Sequence, residues 1–188
     1  LRYGLTLPSD DIRAGKVVLT SIRLEDQERG EGITPYRIAV LLPVDLDPDH
    51  SGHWISVQGK GRVWYLTLSA EGALALSPYF DVFQIPDGGE LYIYNHPASG
   101  ILGAFTSASN PLDQAFATEF VRGSSITFEY FEPYGTRETL RLHLTGLGYF
   151  YRGVNTSTGF SDRGFGDSGD CEVNINCDEG NSWQDEKK

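Results

Sequence analysis

Short stretches in which apolar and polar residues alternate, separated by turn residues, recur along most of this sequence. Thr139–Leu147 has leucine at every second position from 140 to 144, which is typical of a strand with one buried and one wet face. Glu90–Asn95 alternates in the same way, and the preceding Pro86-Asp87-Gly88-Gly89 is typical of a turn, because proline presets φ and glycine accepts positive φ. No segment carries a sustained helical period, so the pattern predicts an all-β protein.

The spacing of the strand candidates narrows the fold class. The turn Gly59-Lys60-Gly61 separates two of them and predicts a hairpin. The other candidates are Val17–Leu24, Tyr36–Leu42, His53–Gln58, Arg62–Leu68, Ala73–Tyr79, Val82–Ile85, Ile101–Thr106, Thr118–Val121 and Ser125–Phe131. Short strands with regular turns, in a chain with 12% aromatic residues and 22 glycines, predict a β-sandwich of jelly-roll or Greek-key type.

The composition changes after Arg152. Residues 153–165 are rich in glycine, serine, threonine and aspartate and contain few apolar residues, which is typical of a linker. Residues 166–188 are short and acidic, hold both cysteines, and cannot form a core by themselves. We therefore predict a sandwich domain over residues 1–152 that is followed by an extended Gly/Ser/Asp-rich tail.

The net charge of −11 argues against nucleic-acid binding, because an acidic chain without a basic stripe has no attraction for phosphate backbones. No apolar run approaches the length of a membrane span, since the longest, Ile38–Leu42, is only strand-sized. The acidity fits a soluble extracellular protein.

Two groups of side chains have residue types that bind metals. One contains Asp45, Asp47, Asp49, His50 and His53, and the other contains Asp81, Asp87 and Glu90, whose oxygens would suit Ca²⁺. Neither group matches a specific metal motif, so we favour a polar loop for the first and solvated turn carboxylates for the second. We expect no metal or other cofactor, with a structural Ca²⁺ ion as the alternative. His143 lies on the polar side of its strand and is expected to be plain surface.

The aromatic residues allow two interpretations. Trp54, Trp64, Tyr92, Tyr94, Tyr130 and Phe131 could form a stacking platform for sugars. In a sandwich most such residues belong to the core or to cross-strand pairs, and we favour that interpretation.

The motif Gly166-Asp167-Ser168-Gly169 has the form of the nucleophile loop of chymotrypsin-like proteases. It lies in the tail with almost no chain after it, and the next residue is Asp170, where those enzymes have glycine and then proline. A serine without a positioned base is a weak nucleophile. We therefore expect no catalytic residue in this chain.

The segment from Gly166 to Gly180 resembles the mature N-terminus of bacterial lysyl endopeptidases. Cys171 and Cys177 are separated by five residues and followed by Asp178-Glu179-Gly180, which matches the pattern of that family. The run from Asn181 to Lys188 resembles the approach to the first strand of the catalytic domain, so residues 166–188 would be the incomplete start of a protease domain. The final Lys187-Lys188 would itself be a site for a lysine-specific protease.

The upstream region resembles the propeptide or N-terminal domain of the same secreted proteases, especially those of Bacteroidetes-like bacteria. The matching stretches are Pro43–Leu46, Ser51–Trp54, Gly61–Trp64, Phe80–Gly88, Glu90–Asn95, Ile101–Thr106, Val121–Gly123 and Glu129–Pro133. The middle of the chain also resembles a CUB-type sandwich.

The resemblance assigns roles to residues of the tail. Phe165–Gly166 becomes the candidate processing junction, and Cys171 and Cys177 would each pair with a cysteine of the catalytic domain beyond Lys188. Such bridges imply an oxidising location, either secreted or at the cell surface. A direct Cys171–Cys177 disulfide is the alternative, and geometry decides between the two.

The resemblance implies a non-catalytic prodomain of a trypsin-like serine protease, which assists the folding, latency or targeting of its own protease domain. That domain would be its partner, through disulfides or non-covalent contact. Two alternatives stay open: an accessory module that binds a polysaccharide or an extracellular protein, and a structural subunit of an extracellular assembly.

Overall fold

The computed structural model of the protein describes residues 12–14, 21–22, 25–26, 37–95 and 100–152. These residues form the strands β1 (Ile12–Arg13), β2 (Ala39–Leu46), β3 (His53–Val57), β4 (Gly61–Ser69), β5 (Ala75–Gln84), β6 (Glu90–Tyr94), β7 (Ile101–Phe105), β8 (Phe116–Ala117), β9 (Val121–Arg122), β10 (Ser125–Pro133) and β11 (Arg141–Phe150). A 3₁₀ turn spans Ser107–Ser109.

The strands form two sheets. The larger sheet has the order β1-β4-β10-β6-β7, with β3 also paired to β4, and the smaller has the order β2-β11-β5-β8, with β9 also paired to β5. The two sheets pack as a sandwich, which confirms the predicted all-β sandwich class. The finer jelly-roll, Greek-key or CUB-like assignment stays a prediction.

The core lies between the inner faces of the sheets, because successive side chains of a strand point to opposite faces. β4 and β10 contribute Trp64, Leu66, Leu68, Ile126, Phe128 and Tyr130, and β5 and β11 contribute Leu76, Phe80, Phe83, Leu142, Leu144, Leu147 and Tyr149. Phe83 stacks on Phe116 with ring centroids 4.1 Å apart, and it also meets Phe80 and Phe105 edge-on. The contact between Phe83 and Phe105 joins the two sheets, because Phe105 lies on β7 of the larger sheet.

Three strand predictions differ from the structure. The predicted strand Thr118–Val121 is not formed, because residues 118–120 lie outside the strands and separate β8 from β9. Ala73–Tyr79 and Val82–Ile85 belong to one strand, β5, which runs through the intervening Phe80 and Asp81. Ser21 and Ile22 have helical backbone, so the predicted strand Val17–Leu24 does not pass through Ile22.

The chain divides into two units, Leu1–Val154 and Asn155–Lys188. The second lies entirely outside the described residues. The predicted linker (153–165) and tail (166–188), with the processing junction Phe165–Gly166 and the cysteines Cys171 and Cys177, lie outside the described residues and stay predictions. In the described part of the chain, no helix combines the length and the apolar character needed to cross a bilayer.

Candidate functional site

His143 connects three strands on the outer face of the smaller sheet. Its Nδ1 lies 2.7 Å from Oδ1 of Asp81 on β5, and its Nε2 lies 2.8 Å from Oδ1 of Asp45 on β2. Since β11 lies between β2 and β5, the imidazole reaches a carboxylate on each neighbouring strand. We call these three side chains the His143 bridge.

Irregular register surrounds the bridge. Phe80 and Val82 of β5 pair with the consecutive residues Leu144 and His143 of β11, which leaves Asp81 as the extra residue of a β-bulge. The pairing of β11 with β2 also shifts between Leu144 and Gly146, beside Asp45. Bulges redirect side chains and are frequent near functional sites. The sheet is therefore distorted where the two carboxylates approach the ring.

The two carboxylates stabilise the protonated form of the imidazole. Hydrogen bonds that the imidazole donates to Asp45 and then to Asp81 raise the pKa of His143 above its usual value, and burial opposes them. The His143 side chain is 34% exposed, Asp81 is 56% exposed and Asp45 is 92% exposed. Solvent therefore screens both ion pairs, and each contributes only modestly to stability.

The bridge is not arranged as a metal site. The carboxylates approach opposite nitrogens of one ring, so the three groups do not converge on a common point. Within the residues that the structure describes, no cluster of three or more His, Cys, Asp or Glu side chains is placed to hold a metal ion. The geometry instead supports proton binding and the joining of strands.

The structure separates the histidines and aspartates that the sequence placed in one candidate group. Nδ1 of His50 contacts both carboxylate oxygens of Asp47 at 2.9 Å, and His53 stacks on Tyr65 in the larger sheet. Asp45 belongs to the His143 bridge instead. The remaining histidine, His96, lies outside the described residues. The favoured interpretation, a polar loop, agrees with these separate contacts.

The three carboxylates considered for Ca²⁺ also have different surroundings. Asp81 contacts His143, Glu90 accepts a hydrogen bond from the Tyr92 hydroxyl at 3.1 Å, and Asp87 lies at a turn. In the described part of the chain, these three residues do not form a common site for an ion. A structural Ca²⁺ ion stays a prediction.

The aromatic residues divide between the two faces of the larger sheet. Trp64 and Tyr130 belong to the core, and Trp54 packs against it. Tyr92 and Tyr94 lie on the opposite face, because they pair with Glu129 and Thr127 rather than with the core residues of β10. The favoured interpretation, core or cross-strand pairs, therefore agrees with these positions: the tryptophans and Tyr130 belong to or pack against the core, and Tyr92, Tyr94 and Phe131 lie in cross-strand pairs.

A buried carboxylate lies at the centre of this outer face. Glu129 is 5% exposed, and it accepts a 2.7 Å hydrogen bond from the Tyr94 hydroxyl. Burial and then the adjacent carboxylate raise the pKa of Tyr94. Tyr65 and Val63 of β4 are buried on the same face, outside the core cluster. The centre of the larger sheet's outer face is therefore shielded from solvent, whereas Ile101 at its β7 edge is 57% exposed.

A charged pair lies at one end of the inner face. Nε of Arg62 donates to Oε1 of Glu132 at 2.6 Å, and the guanidinium lies 4.0 Å above the Trp54 ring. Oε2 of Glu132 and the hydroxyl of Tyr130 are buried, and neither has a hydrogen-bond partner among the residues that the structure describes.

A polar groove of about 250 Å³ lies among the residues Asp87, Gly135, Thr136, Arg137 and Glu138.

A second polar cluster lies where the sandwich ends. Arg37 donates to Asp26 at 2.9 Å, and Tyr151 donates to the other carboxylate oxygen at 2.8 Å. Arg152 pairs with Asp26 at 3.0 Å. Burial acts to raise the pKa of Asp26, but Tyr151, Arg152 and Arg37 outweigh it and lower that pKa. The cluster ties residue 26 to the start of β2 and the end of β11, which lie side by side in this antiparallel pair.

The outer face of the smaller sheet exposes apolar side chains. Leu41 on β2 is 61% exposed and Tyr79 on β5 is 42% exposed. Between them, β11 carries Gly146 and Gly148, and a side chain at either position would contact Leu41 or Tyr79. We call these four residues the apolar strip. Exposed apolar residues that lie together are typical of protein contact surfaces.

The sequence pattern did not predict the His143 bridge. It indicated that His143 is plain surface, and it placed Asp45 in a group with other residues. The only available signal was the polar residue at an outward position in each of three strands. No protein-family model matches the chain.

Proposed function

We propose that this chain is the non-catalytic prodomain of a secreted serine protease of the lysyl endopeptidase type. The observation that carries the proposal is the segment 166–180, in which five residues separate Cys171 from Cys177 and which follows a separate β-sandwich. Such a segment is too short to form a core of its own, and a protease domain that follows it would explain its presence.

The contacts of His143 fit a non-catalytic role. Carboxylates occupy both of its ring nitrogens. A serine nucleophile needs a ring nitrogen within hydrogen-bond reach to take its proton. His143 has neither nitrogen available for that task while both ion pairs are formed.

The apolar strip supports the proposed partner. Leu41 and Tyr79 flank the two glycines of β11, which leave the sheet flat enough for a second protein surface. We propose that the protease domain packs on this strip, so that the sandwich stays attached after cleavage at Phe165–Gly166. Because Cys171 and Cys177 lie on the protease side of that junction, their disulfides would not hold the sandwich after cleavage, and this contact would have to retain it.

Intact mass spectrometry of the natively isolated protein, with and without reductant, tests the covalent part of the proposal. Release of a second polypeptide from the 20.8 kDa chain on reduction would support pairing of Cys171 and Cys177 with a protease domain. A mass change of one internal bridge, or none, would contradict that pairing.

Co-purification tests the non-covalent part. A precursor that carries both Leu41→Asp and Tyr79→Ser would be compared with the wild type. The amount of sandwich retained on the tagged protease domain would be measured after processing. We expect at least a tenfold loss of retention, because a buried charge without a partner is costly at an interface. Leu112→Asp is the matched control, since Leu112 is fully exposed elsewhere. Equal retention of all three proteins would contradict docking on the strip.

The groove beside Asp87 favours a second candidate function, a module that binds a polar ligand. Its volume of about 250 Å³ and its polar lining of Thr136, Arg137 and Glu138 suit part of a sugar chain better than an apolar ligand. A ligand that binds the folded state raises the melting temperature. Soluble polysaccharides that leave the melting temperature unchanged, and insoluble ones that retain no protein, would argue against this candidate.

A further inference from the structure

The His143 bridge joins an edge strand to the interior of its sheet. β2 is the edge strand of the smaller sheet and pairs only with β11 in the described sheet order. The bridge adds a side-chain connection from Asp45 on β2, through His143, to Asp81 on β5. An edge strand lacks the second row of backbone hydrogen bonds that holds an interior strand. Side-chain contacts therefore count for more in holding β2.

We propose that the His143 bridge is a pH-sensitive fastening, which holds β2 on the sheet when the imidazole is protonated and loosens it when the proton leaves. A protonated imidazole donates one N–H to each carboxylate. A neutral imidazole has one N–H and one lone pair, so one of the two aspartates then faces an unprotonated nitrogen. Two negative charges also remain beside a ring that no longer carries a positive charge.

The other charged groups near the bridge do not connect β2 to its neighbouring strands in a pH-dependent way. Arg141 precedes His143 by two residues on β11 and contacts Gln84. His50 also feels the charge of Asp45, but its hydrogen bonds go to Asp47 within the same loop. Protonation of His50 therefore strengthens a loop contact and does not connect strands. His50 provides the matched control for His143.

The direction of the pH effect follows from the protonation state of His143 in the folded protein. Asp45 and Asp81 raise the pKa of His143 in the folded protein above the unfolded value near 6.5. The contribution of the bridge to the stability of the folded protein is therefore complete below pH 6.5. It disappears as the pH rises through the higher pKa that His143 has in the folded protein. Since β2 also carries Leu41, loosening would alter the apolar strip. That last consequence rests on the proposed function, whereas the fastening itself does not.

Hydrogen–deuterium exchange of the full chain, followed by mass spectrometry, tests the fastening. Protection factors for residues 39–46 would be compared at pH 6 and pH 9, after correction for the intrinsic exchange rates. We expect protection in the wild type to fall by about three- to tenfold, since each exposed ion pair changes an equilibrium by up to about fivefold. In His143→Gln, protection should already be low at pH 6 and change less than about twofold.

Two further variants keep the test decisive. His50→Gln should retain the pH dependence of the wild type. Asp45→Asn removes one carboxylate at a side chain that is 92% exposed, so it should reduce the dependence without impairing folding. An unchanged wild-type protection factor between pH 6 and pH 9, or a dependence that follows His50 instead of His143, would overturn the proposal. Neither result would bear on whether a protease domain follows the chain.

Discussion

Tyr94→Phe should destabilise the sandwich by leaving a buried carboxylate without a hydrogen-bond donor. Tyr94 donates to Oε2 of Glu129 at 2.7 Å, and Glu129 is 5% exposed. A hydrogen bond to a charged group contributes about 1.5–3 kcal/mol, and a buried acceptor that loses its partner retains its desolvation penalty. Phenylalanine keeps the ring in place, so loss of packing adds little.

The expected loss of unfolding free energy is about 2 kcal/mol. For a chain of 188 residues, each kcal/mol corresponds to roughly 2–4 °C in melting temperature, which gives a decrease of about 4–8 °C. Urea unfolding at pH 7, followed by far-ultraviolet circular dichroism and extrapolated to water, measures the free energy directly. The slope should stay unchanged if the variant retains the native fold.

A double-mutant cycle separates the hydrogen bond from other effects. Glu129→Met combined with Tyr94→Phe replaces both partners with apolar groups, and it should recover much of the stability that Tyr94→Phe loses. Tyr134→Phe is the control, because Tyr134 is 67% exposed, and it should change stability by less than about 0.5 kcal/mol. The predicted hydrogen-bond contribution is contradicted if Tyr94→Phe and the control lose the same unfolding free energy. It is also contradicted if the effects of Tyr94→Phe and Glu129→Met on that free energy are additive.

Three further perturbations test other parts of the structure. Phe83→Ala opens a cavity where Phe83 is 1% exposed, and calorimetry or urea unfolding should show a loss of about 3–5 kcal/mol. Gly61→Ala would place Cβ against the carbonyl oxygen of Glu132, whereas Gly59→Ala in the same hairpin meets open space; both have positive φ, so urea unfolding should show a clearly larger loss for Gly61→Ala, and equal losses would contradict the close packing. Asp26 has a lowered pKa in the folded protein, so its contribution is present above pH 3.8 and lost as pH falls through the folded value; urea midpoints between pH 6 and pH 2.5 should therefore decrease less for Asp26→Asn than for the wild type.

The local pattern predicted the strands well where alternation was regular. Leucines at alternate positions placed β11, and the alternation in Glu90–Asn95 correctly put Tyr92 and Tyr94 opposite Leu91 and Ile93. β5 appeared as two strands because the bulge at Asp81 shifts the alternation by one residue. A one-residue shift in phase looks like a break when only the sequence is read.

The His143 bridge could not be derived in the same way. Its residues lie on β2, β5 and β11, which are adjacent in space in the order β2-β11-β5. That order depends on which distant strands pair, and no local pattern determines it. Proximity along the chain instead suggested grouping Asp45 with His50 and His53, which the structure separates.

The two outer faces of the sandwich reverse the usual distribution of polar and apolar residues. At the centre of the larger sheet's outer face, Glu129 and Tyr94 are polar but at most 9% exposed, whereas Ile101 at the β7 edge of that face is 57% exposed. On the smaller sheet Leu41 and Tyr79 are apolar but exposed. A partner gains hydrophobic stabilisation only from apolar surface that is still in contact with water, so the apolar strip is a favourable docking surface. The His143 bridge lies on the same face as the strip and connects the strand that carries Leu41, and a change in its protonation would therefore act on a surface where a partner gains stabilisation.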